Sequence, residues 1–313
     1  MRYLLAALAT LVVLGGCSDQ APAWRHLDPA PLARTEVAGA ALGGRVVVVG
    51  GITADGRASA RVDLYDPRRK RWIRLPDLPE ARHHAMAATR EGRLYVVGGY
   101  RPDEVGGGPS QTVWVLFDRR WRALPRLPEA RAAGGAAIVR NRLYVIGGVR
   151  APGALADTSL HLDLRTLTWR RFKGIDPARE HLGVTALGGR VYAVGGRTAG
   201  FETNVAAAEA YDTVRRTWVR LPDAPTKRGG NGAATANRQV VAIGGERTDG
   251  TIARVDAFDP ATGTWRSLAP SPRPRHGTAV VGIGRTAYQA LGGPEPGLSV
   301  SPTLMALRVP EAD

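Results

Sequence analysis

Seven residues in this chain carry side chains suited to holding or moving a proton and recur at matching points of its internal spacing: Glu36, His83, His84, Glu180, His181, Asn231 and His276. Histidine titrates near neutral pH, and a neighbouring carboxylate can orient its ring or share its proton. Glu180 and His181 are adjacent, and together with His84 they are the candidates for acid–base catalysis. A second set is cationic. Arg34, Arg82, Arg131, Arg179, Arg228 and Arg275 each follow a tryptophan (24, 72, 121, 169, 218, 265) by ten residues. Guanidiniums held in a ring could grip a carboxylate through paired, charge-assisted hydrogen bonds.

Residues repeated so regularly need a repeated scaffold. Glycine pairs ending an apolar run recur at 50/51, 98/99, 147/148, 195/196, 244/245 and 292/293, and the tryptophans keep the same phase. Each period of roughly 50 residues holds four short β-type runs, the signature of a propeller blade rather than a solenoid turn. Arg93–Val97 and Arg190–Val194 are apolar, β-branched or aromatic, as strands buried on both faces should be. Tight Gly or Asn turns precede them, as at Gly43-Gly44 and Arg140-Asn141. The third run closes on Asp-Pro turns such as Tyr65-Asp66-Pro67, leading to the tryptophan strand.

A glycine pair after strand two, an aromatic in strand three and a Trp in strand four make this chain similar to the kelch repeat. The resemblance runs from Trp24 to about Val309. It implies an all-β, six-bladed kelch β-propeller whose ring is closed by the N-terminal Trp24 segment as the outer strand of the last blade. Departures are local. Phe117 is only four residues from Trp121, which shortens that hairpin, and Leu162 stands where an aromatic is expected. Four residues rather than three lead from Tyr288 to Gly292, which suggests a bulge.

In such a fold the first strand is innermost, which places the six arginines around one mouth of the central channel as candidate ligand-binding residues. Arginine is also common at this point of kelch repeats, where it can bond loop carbonyls, and both roles stay open. The loops after the glycine pairs vary in length while the opposite hairpins hardly do, so recognition is expected on the arginine side. The longest is 101–110.

Other chemistry is narrowed by what is missing. Galactose-oxidase-like copper chemistry needs a Tyr cross-linked to Cys, and no Cys follows Cys17. No zinc-ligand spacing, phosphate-binding glycine loop or Gly-x-Ser-x-Gly elbow appears, so neither a metal nor a cofactor is expected. The chain does resemble, as an exported six-bladed kelch protein, the bacterial N-acetylneuraminate epimerase. That likeness rests on fold and gives an alternative function, mutarotation or epimerisation of an acidic sugar.

Residues 1–17 read as a targeting segment: Arg2, an apolar stretch Tyr3–Leu14, then Leu14-Gly15-Gly16-Cys17. This resembles a bacterial lipobox, which implies lipidation of Cys17. Ser18 beside it resembles the outer-membrane choice in a cell with two membranes. The expected organisation is a lipoprotein signal peptide (1–17), a linker (18–23), the propeller (24–309) and a tail (310–313). Net charge is +15, and of 43 basic residues only Lys70, Lys173 and Lys227 are lysines. Export argues against nucleic acid as the counter-charge and for anionic headgroups or acidic envelope partners, protein or carbohydrate. The residues thus read first as an envelope-anchored binding or scaffolding module for an acidic partner.

Overall fold

The computed structural model describes residues 24–101 and 108–312; the targeting segment, Cys17, the linker and most of the longest loop lie outside the described residues. Each repeat folds into a four-stranded antiparallel sheet, and six such sheets follow one another. The first blade is Ala38–Leu42, Arg45–Val49, Val62–Asp66 and Arg71–Arg74. The next four occupy 86–123, 135–173, 183–220 and 229–268. The sixth combines Ala279–Ile283, Thr286–Ala290 and Leu304–Arg308 with Trp24–Leu27. Trp24 stands opposite Leu307 and Leu27 opposite Leu304, so the N-terminal strand closes the ring. The first strand of each blade contacts the first strands of both neighbours, including the sixth against the first.

The alternation of side chains explains why second strands are apolar throughout. Val46 and Val48 pack with Ala279, Val281 and Tyr288 of the sixth blade, whereas Val47 and Val49 pack with Leu94 and Val96 of the second. All four valines are fully buried. Each such side chain contributes roughly 1.5–3 kcal/mol by burial, and none could be polar without facing a neighbouring sheet. The tryptophans stitch the outer rim. The indole N–H of Trp72 donates to the Asp28 carbonyl, Trp121 to Pro76, Trp169 to Pro125, Trp218 to Lys173, Trp265 to Pro222 and Trp24 to Ala269. Each bond reaches the preceding blade.

Two expectations about phase need correction. In the second blade Trp121 pairs with Leu116, as Trp72 pairs with Tyr65, so Leu116 holds the buried third-strand position. Phe117 is exposed beneath the Arg93 guanidinium, 4.3 Å from its ring centroid. The Asp118-Arg119 turn, both residues left-handed, is what shortens the hairpin. In the sixth blade there is no bulge at Tyr288–Gly292, and the strand pairing is regular. Leu291 (φ 59) and Gly292 (φ 101) take the places of the glycine pair. The bond from the Gly292 N–H to the Arg34 carbonyl matches that from Gly51 to Arg82 in the first blade. Gly98 shows why glycine is usual at the first of these places: a Cβ there would stand 2.1 Å from the Arg131 carbonyl oxygen. Leu162, by contrast, does pair with Trp169 where the aromatic was expected.

Candidate functional site at the channel mouth

The six arginines do not line the mouth. Each turns into its own blade and is almost wholly buried. Arg34 donates to the Gly50 and Arg61 carbonyls and to Asp63 at 2.6 Å. Arg228 makes the same set with Gly244, Arg254 and Asp256, and Arg179 pairs with Glu209 at 2.7 Å. In these blades the carboxylate comes from the third strand. In the second and third blades that position is Trp114 or Leu160, and the counter-charge comes instead from the connector, Glu80 for Arg82 and Glu129 for Arg131, both at 2.6 Å. Arg275 bonds the Thr303 and Gln289 carbonyls and has no carboxylate partner among the described residues. Burial lowers its pKa to about 9. The ten-residue spacing located each backbone correctly, but the strand-end carbonyls draw the guanidiniums inward. They are an internal belt, not a ligand collar.

The mouth is lined by the residues that follow each arginine. Two places on come Glu36, His84, Ala133, His181, Gly230 and Gly277, every one of them left-handed. Their backbones form a circle. His84 N–H donates to Glu36 O, Ala133 to His84, His181 to Ala133, Gly230 to His181 and Gly277 to Gly230, and Val37 N–H completes it at Gly277 O. The residue after each glycine pair bridges to the same rim, as His83 with Tyr100 and Glu180 with Arg197. Glu246 enters from this position too, opposite Gly229. Tyr100, Arg197 and Glu246 are site residues that the sequence reading missed. They occupy one column of the repeat, and comparing that column across blades would have found them.

This circle brings nearly all of the proton-carrying candidates into contact. His84 Nε2 lies 3.0 Å from Glu36 Oε2 and 2.9 Å from His181 Nε2. His83 Nδ1 and His84 Nδ1 are 2.6 Å apart, and His181 Nδ1 is 3.1 Å from Glu180 Oε1. His276 Nδ1 stands 3.2 Å from Glu36 Oε1 and 3.4 Å from Glu246 Oε2. Arg197 ties the carboxylates together, donating to Glu180 at 3.2 Å and to Glu246 at 3.0 Å. Asn231 is apart from this: its amide donates to the Val194 carbonyl at 3.3 Å and braces the wall. Beneath the cluster the channel is lined by glycine, alanine, threonine and valine, with cavities of about 130 Å³ at the rim and 260 Å³ below.

The charges sort by neighbour. Burial alone would raise the Glu36 pKa, but His84, His276 and His181 together hold it well below the usual carboxylate range. Burial likewise opposes ionisation of Glu180, and the His181 and Arg197 contacts outweigh it. Burial and the adjacent His84 lower His83 to about 4. His181 is also lowered, chiefly by burial. His276 is raised, because Glu36 and Glu246 overcome its burial. Burial, with Glu180 nearby, pushes the Tyr100 hydroxyl up to about 12. Two trios, Glu36–His84–His181 and Glu36–Glu246–His276, each bring three possible metal-donor atoms within 4.8 Å of one another.

The opposite face, where the hairpins turn, has another character. Arg68, Arg69 and Lys70 are exposed in one hairpin, Arg165 in another, Arg215 and Arg216 in a third. Arg140, Arg238 and Arg285 are exposed at the turns between first and second strands, against exposed acids at Glu91, Asp118 and Glu311. A cavity of about 1080 Å³ opens among these turns beside Arg140, Arg190, Arg215 and Arg238, with Asp212, Asp259 and Glu311 also in its lining.

No curated protein matches the chain. A family model described as the KLHDC2/KLHL20/DRC7 Kelch-repeats domain matches residues 116–293, and the Kelch motif matches residues 33–79. With more than half of its length inside the first of these and six four-stranded blades in a closed ring, the chain belongs to the kelch-repeat β-propeller family.

Proposed function

We propose that the protein is an exported binding module, anchored to the cell envelope through a lipid on Cys17, that holds an acidic envelope partner on its hairpin face. The observation that carries this reading is the grouping of exposed cations on the hairpins, Arg68, Arg69 and Lys70 in one, Arg165, Arg215 and Arg216 in others, whereas the six belt arginines are buried and exposed mouth-face arginines such as Arg57 and Arg247 stand beside Asp55 and Asp249. Exposed guanidiniums around a broad recess favour encounter with an acidic surface and make it salt-sensitive. A partner-binding role also accords with the family, whose propellers typically serve as protein-binding scaffolds.

The test is capture of envelope components by the purified protein and by a variant carrying Arg68→Glu, Arg69→Glu, Arg165→Glu and Arg215→Glu. These side chains lie outside the buried belt, so the variant should keep the wild-type melting temperature. Capture should fall by about 10-fold or more, with the salt dependence flattened. Undiminished capture would remove the hairpin face as the docking surface.

The contact of Glu180, His181 and His84 favours a second reading, proton transfer to the ring oxygen and from the hydroxyl of the anomeric centre of an acidic sugar, which opens and recloses the ring. Proton NMR of N-acetylneuraminate anomers decides between them. The binding reading expects interconversion at the buffer rate. Acceleration that Glu180→Gln abolishes would put the isomerase reading in its place.

A further inference from the structure

We propose that Glu36, His84 and His181 form a binding site for a divalent transition-metal ion, zinc in the first instance, at the centre of the mouth. The three donor atoms are Glu36 Oε2, His84 Nε2 and His181 Nε2. They stand 3.0, 2.9 and 3.9 Å apart around one point. Two ligands of a tetrahedral zinc, each about 2.0–2.1 Å from the ion, are roughly 3.4 Å apart. The trio therefore needs only tenths of an ångström of adjustment.

Counting protons strengthens the geometry. His181 Nδ1 lies buried 3.1 Å from Glu180 Oε1 but is not aligned for a hydrogen bond; because carboxylate oxygens accept, realignment of the ring with its proton on Nδ1 would complete that bond and leave Nε2 as a bare lone pair. The same logic makes His276 Nδ1 the donor to Glu36 Oε1. One proton on His84 Nε2 can serve Glu36 or His181, but not both. A cation satisfies all three lone pairs at once. The His84 proton then moves to Nδ1 and is donated to His83 Nδ1, 2.6 Å away. Each ligand thereby has an outer partner of the right polarity: His83 behind His84, Glu180 behind His181, and His276 behind Glu36. Such partners fix the tautomer and direction of metal-binding groups. Arg197 in turn holds Glu180.

The backbone supplies an independent observation. Glu36, His84 and His181 all sit at φ 52, in a position that two other blades give to glycine and one to alanine. Left-handed backbone is uncommon for any residue with a side chain, though histidine tolerates it better than most, and the three polar side chains placed at this point are the three that converge. Ala133, Gly230 and Gly277 put no more than one methyl group on the remaining positions of this circle. Three protein ligands with an open side is the arrangement of a site that exchanges water or a small ligand, not of a closed structural site. Two imidazoles to one carboxylate select a zinc-like ion over magnesium or calcium. The ligands are a blade or more apart in sequence, His84 and His181 by 97 residues, which is why no short motif announces them.

Calorimetric titration of the metal-free purified protein with Zn²⁺, supported by the visible spectrum of the Co²⁺ form, tests the site. Wild type should bind one Zn²⁺ per chain and melt at a higher temperature when loaded. His84→Gly and His181→Gly should lower affinity by at least about 100-fold, and Glu180→Gln by about 10–100-fold. Because glycine suits the backbone at 84 and 181, both variants should melt at or above the metal-free wild type, which separates lost ligation from lost folding. The proposal is overturned if wild type takes up no stoichiometric Zn²⁺, or if the two glycine variants bind it as wild type does. Retention by both, with loss in Glu246→Gln, would assign the ion to the neighbouring trio instead. The outcome is independent of the hairpin-face reading, which concerns the other side of the molecule.

Discussion

Asp256→Ala is expected to lower folding stability by about 3–5 kcal/mol, because it strands a buried guanidinium without its counter-charge. Arg228 and Asp256 are both fully buried, 2.5 Å apart, and the guanidinium is enclosed within its blade, bonded to the Gly244 and Arg254 carbonyls. At this chain length the change corresponds to a fall in Tm of roughly 5–8 °C, readable by calorimetry. The control is Arg275→Met in the sixth blade. It removes a cation that has no carboxylate beside it, leaving the Thr303, Gln289 and Arg273 carbonyls short of a donor. That loss should cost about 1–2 kcal/mol. If Asp256→Ala and Arg275→Met melt together, the belt does not stabilise the blades through ion pairing.

Trp24→Ala should cost about 3 kcal/mol, and deleting Trp24–Leu27 should cost more than the side chain alone. Trp24 is buried against Met305, Leu307 and the fifth blade, and its indole bonds the Ala269 carbonyl. Without the segment, the backbone of Leu304–Arg308 becomes a free edge, which invites pairing between molecules. The deletion should therefore elute with an aggregate fraction on size exclusion that Trp24→Ala lacks. Monomeric behaviour with an unchanged Tm would show that the sixth blade holds without its outer strand.

Blade number, strand order and ring closure were legible in the sequence because they depend on where apolar runs and turns fall, and those recur with every period. Side-chain direction was not. The spacing from Trp218 to Arg228 fixes a Cα at the mouth, yet the carbonyls of Gly244 and Arg254 and the carboxylate of Asp256 decide where the guanidinium goes. Residue identity also misled twice over phase. Leu291 adopts the left-handed backbone usually given to glycine, and Phe117 looked like the expected third-strand aromatic while Leu116 filled that position. Contact among His84, His181 and Glu36 follows from a six-fold column of equivalent positions, not from neighbouring residues. A reading confined to local spacing names the histidines and misses Arg197 and Glu246.

The strand that completes the sixth blade begins where, in every other blade, the outer hairpin turns. The chain therefore arrives at Trp24 on the cation-bearing side of the disc, and the six residues from Ser18 to Ala23 reach at most about 20 Å. On the lipid-anchored reading proposed above, the tether would turn the hairpin face towards the bilayer, so the acidic surface it meets would be one beside the anchor, and the histidine well would face away from it. Orientation would be built into the tether, so that one side docks while the other samples solutes.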